Sequence, residues 1–260
     1  MRVEARDIRK TFSSGRQEVE ALAGVDLAVE EGEFVSVVGP SGCGKSTLME
    51  IVAGLVQPSG GEALVGGEPV KGPRPDVGVV FQQESAFPWR TVLENVEFGL
   101  QMHGVDKKER RERSRDLVDL VGLDGFEDRY PGELSGGMRQ RVAIARTLVM
   151  DPKVLLMDEP FGALDEQTRL ILGEELLLIW SRTGATTLFI THSIEEAALL
   201  SDRVVVMSAR PGVVKKVVEV DLERPRDSRV VGTPEFSRVS GEVWGTLREE
   251  SMKTLRGRAS

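Results

Sequence analysis

One nine-residue segment constrains the fold of this chain more than any other feature. It consists of Gly39, Pro40, Ser41, Gly42, Cys43, Gly44, Lys45, Ser46 and Thr47. An apolar run at Phe34–Val38 precedes it, and a stretch of helical spacing at Thr47–Val56 follows. A GxxxxGK[ST] segment between a strand and a helix is typical of a phosphate-binding loop. The sequence therefore predicts a strand, a phosphate loop (Gly39–Thr47) and a helix, in that order.

Each residue type in the phosphate loop has a physical reason. Glycines let backbone N–H groups approach the β- and γ-phosphates without Cβ clashes, and the following helix N-terminus adds positive potential. Lys45 supplies a compact charge to the same oxygens, and Ser46 offers a hydroxyl to a bridging Mg²⁺. The loop therefore predicts binding of a nucleotide such as ATP together with Mg²⁺, without choosing among the many families that share the motif.

Four further apolar runs support an α/β fold. They lie at Val77–Phe81, Val154–Met157, Thr187–Ile190 and Val204–Met207. Each is short and bounded by Gly, Pro or charged residues, and helix-like stretches separate several of them, as in a parallel sheet buried on both faces. The first 30 residues and Glu62–Pro69 alternate like half-exposed strands, which predicts an antiparallel sheet near the N-terminus.

Two regions have helical spacing. Between about residues 83 and 150, the stretches Val92–Leu100 and Lys107–Val121 predict a helical lobe inserted into the α/β core, and its charge-dense part is interpreted as a solvated helix face. Near the C-terminus, Thr233-Pro234 predicts a helix start. The stripe Phe236, Val239, Val243 and Leu247 on that helix fits core packing better than a partner site.

Composition excludes several classes of protein. The 260 residues include 34 Lys and Arg against 42 Asp and Glu, a net charge of −8, and lack a basic run, so no nucleic-acid partner is expected. The single cysteine, Cys43, excludes an intrachain disulfide framework and fits a reducing cytoplasm. No apolar run approaches the length of a membrane span, and the N-terminus lacks a signal region. We therefore expect a cytoplasmic protein that reaches a membrane only through a partner.

Two carboxylates follow the apolar run at Val154–Met157. A buried strand would deliver Asp158 and Glu159 to the sheet edge where the phosphate loop also opens. There Asp158 can hold the hydration shell of Mg²⁺, and Glu159 can polarise the water that attacks the γ-phosphate. The alternative is a strand that simply ends at a polar turn, and the phosphate loop makes that alternative the weaker one.

A second glycine-containing segment precedes another helix, expected at Arg141–Met150. It reads Leu134, Ser135, Gly136, Gly137, Met138, Arg139 and Gln140, and is called the signature segment below. Small residues before a helix N-terminus can bind a second anion. Because one ATP needs only one phosphate loop, the simplest explanation is that the segment covers the ATP of another copy of the chain.

At this point the chain resembles the ABC transporter ATPases, whose signature sequence is LSGGQ or a close variant; Met138 stands here in place of Gln. The resemblance covers about residues 3–222. Gln82 matches the Q-loop glutamine, Ala163-Leu164-Asp165 matches the D-loop, and His192 matches the switch histidine. The implied fold is a P-loop NTPase (RecA-like) core with an N-terminal antiparallel β-subdomain and an inserted helical subdomain. The implied domains are residues 1–222, with the helical lobe at about 83–150, and a short C-terminal extension at 223–260.

The resemblance also implies an assembly and residue roles. Two copies, or one copy and a homologous subunit, would join head to tail with one ATP in each of two shared sites. Ser135, Gly136 and Gly137 would cover the ATP held by Lys45 and Ser46 of the other copy. His192 would hold the γ-phosphate, Gln82 would sense Mg²⁺ and the membrane partner, and Asp165 would link the two sites. Phe12 is the candidate for stacking on adenine.

Within the family, the segment Glu84–Val96 resembles the ATPase subunits of nitrate, sulfonate and taurine importers. This implies import of a small anion or organic solute through a transmembrane permease, with a solute-binding protein as an indirect partner, at the cytoplasmic face of the inner membrane. Phe87, Pro88 and Trp89 would dock the permease, unless they pack inside the lobe. The alternatives are an exporter or lipid-transport ATPase, a non-transport ABC ATPase acting on DNA or ribosomes, and an unrelated P-loop motor or kinase.

Cys43 lies inside the phosphate loop, and its side chain has two possible positions. If it faces the nucleotide, Lys45 and the helix N-terminus should favour its thiolate, and bound ATP should protect it from modification. If it faces the core, it should be inert. The sequence alone does not decide between these two positions.

Overall fold

The structure, a computed structural model, describes residues 1–15, 17–82, 85–162 and 164–257. Its strands are β1 Val3–Ser14, β2 Gln17–Val29, β3 Phe34–Val38, β4 Gly60–Val65, β5 Glu68–Pro69, β6 Val77–Val80, β7 Val154–Asp158, β8 Thr186–Ile190, β9 Arg203–Met207 and β10 Val214–Glu219. Its helices are α1 Lys45–Val52, α2 Val92–Val96, α3 Phe98–Met102, α4 Lys107–Leu120, α5 Gly136–Leu148, α6 Glu166–Thr183, α7 Ile194–Leu200 and α8 Pro234–Gly257. Short 3-10 turns lie at Pro131–Glu133 and Ser228–Gly232.

The central sheet has six strands in the order β10-β9-β3-β8-β7-β6. Strands β9, β3, β8, β7 and β6 are parallel, and β10 pairs antiparallel with β9 at one edge. Every residue of β3, β7 and β8 is buried, as expected for strands covered on both faces. The predicted α/β core is therefore confirmed, with strand bounds that differ by one residue or less from the apolar runs.

The N-terminal residues form a second, antiparallel sheet in the order β2-β1-β4-β5. This sheet was predicted, but Glu62–Pro69 is a hairpin rather than one strand. Gly66 and Gly67 connect β4 to β5 with φ angles of 62° and 80°. Two consecutive residues with positive φ match the twist of a tight hairpin, and glycine adopts them at little steric cost.

Helices α2 to α5 form the predicted helical lobe, in which α2 packs against α4 and α5. The expected helix at Val92–Leu100 is divided, because α2 ends at Val96 and α3 begins at Phe98. Thr91 starts α2 through a capping box, in which its side chain accepts from the N–H of Glu94 and the Glu94 side chain accepts from the N–H of Thr91. None of the helices in the described ranges is both long enough and apolar enough to cross a membrane.

The C-terminal helix begins as predicted. The Thr233 hydroxyl accepts from the N–H of Phe236 at 3.2 Å, and α8 starts at Pro234. Phe236, Val239 and Val243 are buried in the main core, so the interpretation of this stripe as core packing is confirmed.

Arg226 fastens the chain before α8 to the core. Its buried guanidinium donates hydrogen bonds to the carbonyls of Leu199, Ser201, Val220 and Leu222. Burial lowers the pKa of Arg226 to about 10, so the group stays protonated at neutral pH. One side chain thus joins the end of α7 to the chain after β10.

Candidate functional site

The predicted site residues meet at one edge of the central sheet. The phosphate loop follows β3, Gln82 follows β6, Asp158 ends β7 with Glu159 next to it, and His192 follows β8. Because β3, β6, β7 and β8 are parallel, their carboxyl ends open on the same side. The fold therefore brings together residues that are up to 153 positions apart in sequence, from Gly39 to His192.

A pocket of about 280 Å³ lies at this edge. It is lined by Ser41, Gly42, Gly44, Lys45, Ser46, Thr47, Gln82, Glu159 and His192. Gly42 and Gly44 have φ angles of 75° and 100°, which side chains disfavour and which turn the loop around the pocket. Four predicted site residues do not line the pocket, although they lie next to residues that do: Gly39, Pro40, Cys43 and Asp158.

The back of the phosphate loop is packed against β2 and the chain after β9. A Cβ atom at Gly44 would lie 2.6 Å from Leu22 Cδ2, and one at Gly212 would lie 2.1 Å from the Cys43 carbonyl oxygen. The Gly212 N–H donates to the Ala21 carbonyl at 2.8 Å. Sequence reasoning missed Leu22 and Gly212, because only the folded chain brings them behind the loop.

Lys45 is held within the loop. Its Nζ donates to the carbonyls of Gly39 at 3.0 Å and Pro40 at 3.3 Å, and the residue is only 5% exposed. A buried ammonium group needs such acceptors, since removal from water without hydrogen bonds is costly. The loop carbonyls thus hold the positive charge at the wall of the pocket.

Cys43 is turned into the core, which decides between the two positions that the sequence leaves open and excludes the accessible, reactive thiol. The residue is 1% exposed and belongs to the hydrophobic cluster beneath β3 and α1. Burial raises the pKa of the thiol, and the nearby Lys45 charge offsets this effect only in part. The side chain occupies space beside Gly39, where a Cβ would lie 2.8 Å from Cys43 Sγ. The alternative of an inert thiol is the one that the structure supports.

Asp158 is a buried carboxylate with one unpaired oxygen. It is 8% exposed, and its Oδ1 has no hydrogen-bond partner. Burial raises the pKa of Asp158, while a hydrogen bond with Ser46 and the charge of Lys45 partly oppose this shift. An unpaired buried carboxylate oxygen beside a serine hydroxyl fits a hard cation such as Mg²⁺.

The described ranges contain no group of three or more His, Cys, Asp or Glu side chains that could hold a metal ion. Ser46 and Asp158 would therefore supply only part of a coordination shell. This donor set suits Mg²⁺, which commonly keeps several waters and binds through one or two protein groups plus substrate phosphates.

Glu159 is held by both other candidate catalytic residues. Gln82 Nε2 donates to Glu159 Oε2 at 3.0 Å, and His192 Nε2 lies 2.6 Å from Glu159 Oε1. Burial and the charge of Lys45 lower the pKa of His192, although the two nearby carboxylates act in the opposite direction. The 2.6 Å separation fits a hydrogen bond in which the His192 Nε2–H donates to the Glu159 carboxylate.

The backbone of Glu159 has φ 46°, in the left-handed region that a non-glycine residue seldom adopts. Its N–H donates to the Ile190 carbonyl at 2.9 Å, and its carbonyl accepts from the Gly162 N–H at 3.0 Å. These bonds fix a turn that aims the side chain along the edge of the sheet toward Gln82 and His192. Such strain is concentrated at functional sites.

The signature segment does not contribute to the pocket of its own chain. Ser135 caps α5 by accepting from the Met138 N–H at 3.3 Å, so α5 begins at Gly136 rather than at the predicted Arg141. Gly136 and Gly137 therefore form the first turn of α5, and both lie against Leu164.

Asp165 is exposed and also outside the pocket. It caps α6, accepting from the Thr168 N–H at 3.0 Å and from the Thr168 hydroxyl at 2.7 Å. Leu164 joins this segment to the start of α5, whereas Ala163, the first residue of the predicted D-loop match, lies outside the described residues. Asp165 and the signature segment thus form a neighbouring surface rather than a wall of the phosphate pocket.

Phe12 lies on β1 and does not line the phosphate pocket. Its ring is 42% exposed, and Lys10 Nζ lies 5.1 Å from its centroid. An exposed ring can stack on a planar group, so Phe12 stays a candidate for contact with adenine beyond the phosphate pocket.

The predicted docking residues of the lobe have different positions. Phe87 packs into the lobe, with its ring 4.7 Å from that of Phe98 and 5.0 Å from the Arg146 guanidinium. Trp89 points outward and is 70% exposed. The interpretation as internal packing therefore fits Phe87, whereas Pro88 and Trp89 are both exposed. Glu84, the first residue of this predicted segment, lies outside the described residues.

Sequence reasoning also missed a charged cluster beside His192. Arg169 from α6, Glu196 from α7 and Thr191 from the end of β8 line a second cavity of about 90 Å³, which also contacts Glu159. The sequence carried one usable signal, since Ser193 followed three residues later by Glu196 is a capping-box pattern.

Comparison with known proteins gives consistent matches. The family described as ABC transporter matches residues 22–162. An uncharacterized ABC transporter ATP-binding protein of Methanocaldococcus jannaschii is 52% identical, over 98% of this chain and 95% of that protein. The nitrate import ATP-binding protein NrtD of Synechocystis sp. is 47% identical, over 95% of this chain and 96% of that protein. A dimeric ATP-binding cassette solved in a post-hydrolysis state with ADP and Pi is 33% identical with a TM-score of 0.75, over 85% of this chain and 100% of that chain.

Proposed function

The chain belongs to the ABC transporter family, and on that premise we propose that it hydrolyses ATP between two copies to drive import through a separate membrane permease. One observation carries the proposal of hydrolysis. Glu159 stands at the mouth of the phosphate loop with its carboxylate held by Gln82 and His192. A carboxylate fixed in this way can take a proton from a water that attacks the γ-phosphate.

The phosphate loop binds ATP through its backbone N–H groups and Lys45. The ammonium group leaves the loop carbonyls for the β/γ oxygens, which are stronger acceptors because they are charged. Ser46 and Asp158 would hold Mg²⁺, which would supply positive charge to the phosphates, and Gln82 orients Glu159 through its hydrogen bond. With ATP bound, the His192 Nε2–H donates to an oxygen of the γ-phosphate instead of to Glu159, and Phe12 stacks on adenine.

A second copy completes each site. Ser135, Gly136 and Gly137 present the N-terminus of α5 away from their own phosphate pocket, where they can reach the γ-phosphate held by the other chain. Asp165 lies on the same surface and links the two sites. The dimeric cassette with bound ADP and Pi supports this arrangement for the present chain.

The permease docks on the helical lobe at Trp89. Large exposed aromatic side chains are strong anchors for protein interfaces, and Asn95 and Arg146 hold the preceding loop in place. We assign residues 1–222 to the nucleotide-binding domain, with the lobe at about 83–150, and 223–260 to a C-terminal extension. The protein then lies at the cytoplasmic face of the membrane. The nitrate-import relative supports a small anion or organic solute, delivered by a solute-binding protein, as the cargo.

The variant Glu159→Gln tests the proposed reaction. Glutamine keeps the shape and a hydrogen-bond acceptor but cannot take the proton, so turnover should fall about 10²–10⁴-fold while ATP binding is retained. The variant should also stay dimeric with Mg-ATP, because separation follows hydrolysis. ATPase rate, nucleotide affinity and mass by size-exclusion chromatography measure the three effects.

The matched control is Glu219→Gln, which removes an exposed carboxylate on β10 far from the site in sequence and fold. It should leave all three measurements unchanged. Near-normal turnover of Glu159→Gln would remove Glu159 from the role of base and with it the proposed mechanism.

A further inference from the structure

The second cavity, of about 90 Å³, connects two segments that have separate roles in the proposed function. Glu159 and His192 form one side of it, shared with the phosphate pocket. The other side contains Arg169, Glu196 and Thr191, which are called the relay below. None of the three relay residues lines the phosphate pocket, so they do not touch the proposed nucleotide directly.

At one end, the relay fixes the backbone around His192. The Thr191 hydroxyl donates to Glu196 Oε2 at 2.5 Å and accepts from the Ser193 N–H at 2.9 Å. Thr191 is 3% exposed and Glu196 is 7% exposed. One buried hydroxyl therefore holds the residues on both sides of His192, and Glu196 determines the orientation of that hydroxyl.

At the other end, the relay fixes the segment that ends at Asp165. Arg169 Nε donates to the Leu164 carbonyl at 2.7 Å, and Nη2 donates to the Gly162 carbonyl at 3.3 Å. The same Nε lies 3.9 Å from Glu196 Oε1. Arg169 therefore contacts both the backbone next to Asp165 and the carboxylate that orients Thr191.

The burial of Glu196 indicates that the relay is maintained as a unit. Desolvation raises the pKa of this carboxyl, and the Thr191 hydrogen bond and the Arg169 charge are the two contacts that counteract it. Burial of a carboxylate costs free energy unless the group has partners. Displacement of Arg169 therefore changes the free energy of the Glu196–Thr191 contact, and displacement of Thr191 changes that of the Glu196–Arg169 contact. Movement of the Leu164 carbonyl and Arg169 is thus coupled to the turn that contains His192.

We propose that Arg169 and Glu196 are positioning residues that couple Gly162, Leu164 and the adjacent Asp165 to His192, so that contact of a second copy at Asp165 aligns His192 in its own chain. The proposal rests on the proposed function, because it assumes that His192 contacts the nucleotide and that Asp165 faces the second copy. It adds a path within one chain by which dimer contact sets the catalytic geometry.

A double-mutant cycle on Arg169→Met and Thr191→Val tests the relay. Both changes remove hydrogen bonds and roughly keep side-chain size. Each single variant should lose about threefold to tenfold in kcat, the effect of one or two ordinary hydrogen bonds, with nucleotide affinity within twofold of the parent. The double variant should lose little more than the worse single variant, because both changes break the same connection. Thr191→Ser, which restores the hydroxyl, should recover kcat.

The control cycle pairs Thr191→Val with Arg74→Met. Arg74 also bridges two carboxylates, Glu68 and Asp76, but it lies before β6 and does not contact the relay. The double variant Arg74→Met/Thr191→Val should therefore show a change in kcat equal to the product of the two single-variant changes. If Arg169→Met does not fold by thermal unfolding and size exclusion, Arg169→Lys, which loses the forked donor but keeps the charge, takes its place in the cycle.

The outcomes separate the relay from the proposed function. Suppose that His192→Ala abolishes hydrolysis, as the proposed function requires. The relay is then overturned if the fold-losses in kcat of Arg169→Met and Thr191→Val multiply in the double variant, or if Thr191→Ser does not recover kcat. Absence of ATPase activity in the unmodified protein, or full activity of His192→Ala, would instead overturn the proposed function on which the relay rests.

Discussion

Replacement of Gly212 by alanine would place a methyl group against the backbone of the phosphate loop. The added Cβ would lie 2.1 Å from the Cys43 carbonyl oxygen and 2.8 Å from Met207 Cε. Met207 can rotate away, but the Cys43 carbonyl is backbone. Gly212 cannot retreat freely either, because its N–H donates to the Ala21 carbonyl at 2.8 Å and its carbonyl accepts from the Ala23 N–H at 3.1 Å. The distance between the new Cβ and the Cys43 carbonyl oxygen must therefore increase by about 1 Å, through movement of the loop or of β2.

Overpacking of this kind costs about 1–3 kcal/mol. If the loop yields, its N–H groups leave their phosphate-binding positions, and ATP affinity should fall by about 5-fold to 150-fold. If β2 yields, the same cost should appear as a lower melting temperature. Equilibrium titration with a fluorescent ATP analogue and thermal unfolding together measure the sum of the two effects.

The matched control is Gly241→Ala, inside α8 with no atom within 4 Å of the new Cβ. Alanine is the better helix former by about 0.5–1 kcal/mol, so this variant should be equally or more stable and bind ATP normally. A Gly212→Ala protein with parental ATP affinity and parental melting temperature would refute the close packing of Gly212 behind the phosphate loop.

Two further predictions concern buried groups. Cys43 should react rapidly with a maleimide only in denaturant, because its thiol is buried and burial raises its pKa. In the folded protein the reaction should be slow, and Mg-ATP should hardly change its rate. Fast labelling of the folded protein would contradict the buried position of Cys43. The raised pKa of Glu196 means that its contribution to stability is full below the unfolded pKa and is lost as pH rises through the folded pKa. Glu196→Gln should therefore gain in melting temperature relative to the parent as the pH rises above the ordinary pKa of a glutamate carboxyl, and a difference in melting temperature that stays constant with pH would contradict the raised pKa of Glu196.

Local patterns were enough to predict the core of the fold. Phe34–Val38, Val154–Met157 and the phosphate loop each carry their signal within a few residues, so their strands and turn follow from apolar runs and glycine placement. The prediction for the start of α5, Arg141, is wrong by five residues, because the glycines of the signature segment suggest a loop. Ser135 makes them helical by capping the N–H of Met138.

Side-chain directions and contacts between distant parts of the chain could not be predicted from the sequence. Cys43 could face the nucleotide or the core, and packing beside Gly39 decides for the core. Phe87 and Trp89 are both aromatic, yet only the fold shows that Phe87 packs against Phe98 while Trp89 is exposed. Arg169 and Glu196 lie on different helices, and no periodicity links them to the histidine whose loop they support.

The central claim is that each ATP site is built from two copies, because Ser135 and Asp165 lie outside the phosphate pocket of their own chain. Mixing Lys45→Ala protein with Ser135→Arg protein tests it most directly. Neither parent dimer has an intact site, whereas every mixed dimer has one site with both defects and one with neither. At equal concentrations, ATPase activity should reappear at about a quarter of the unmodified rate, since half of the dimers are mixed and each has one intact site. Mixed dimers that form, as shown by tagged co-purification, and yet remain inactive at every ratio would contradict the shared site.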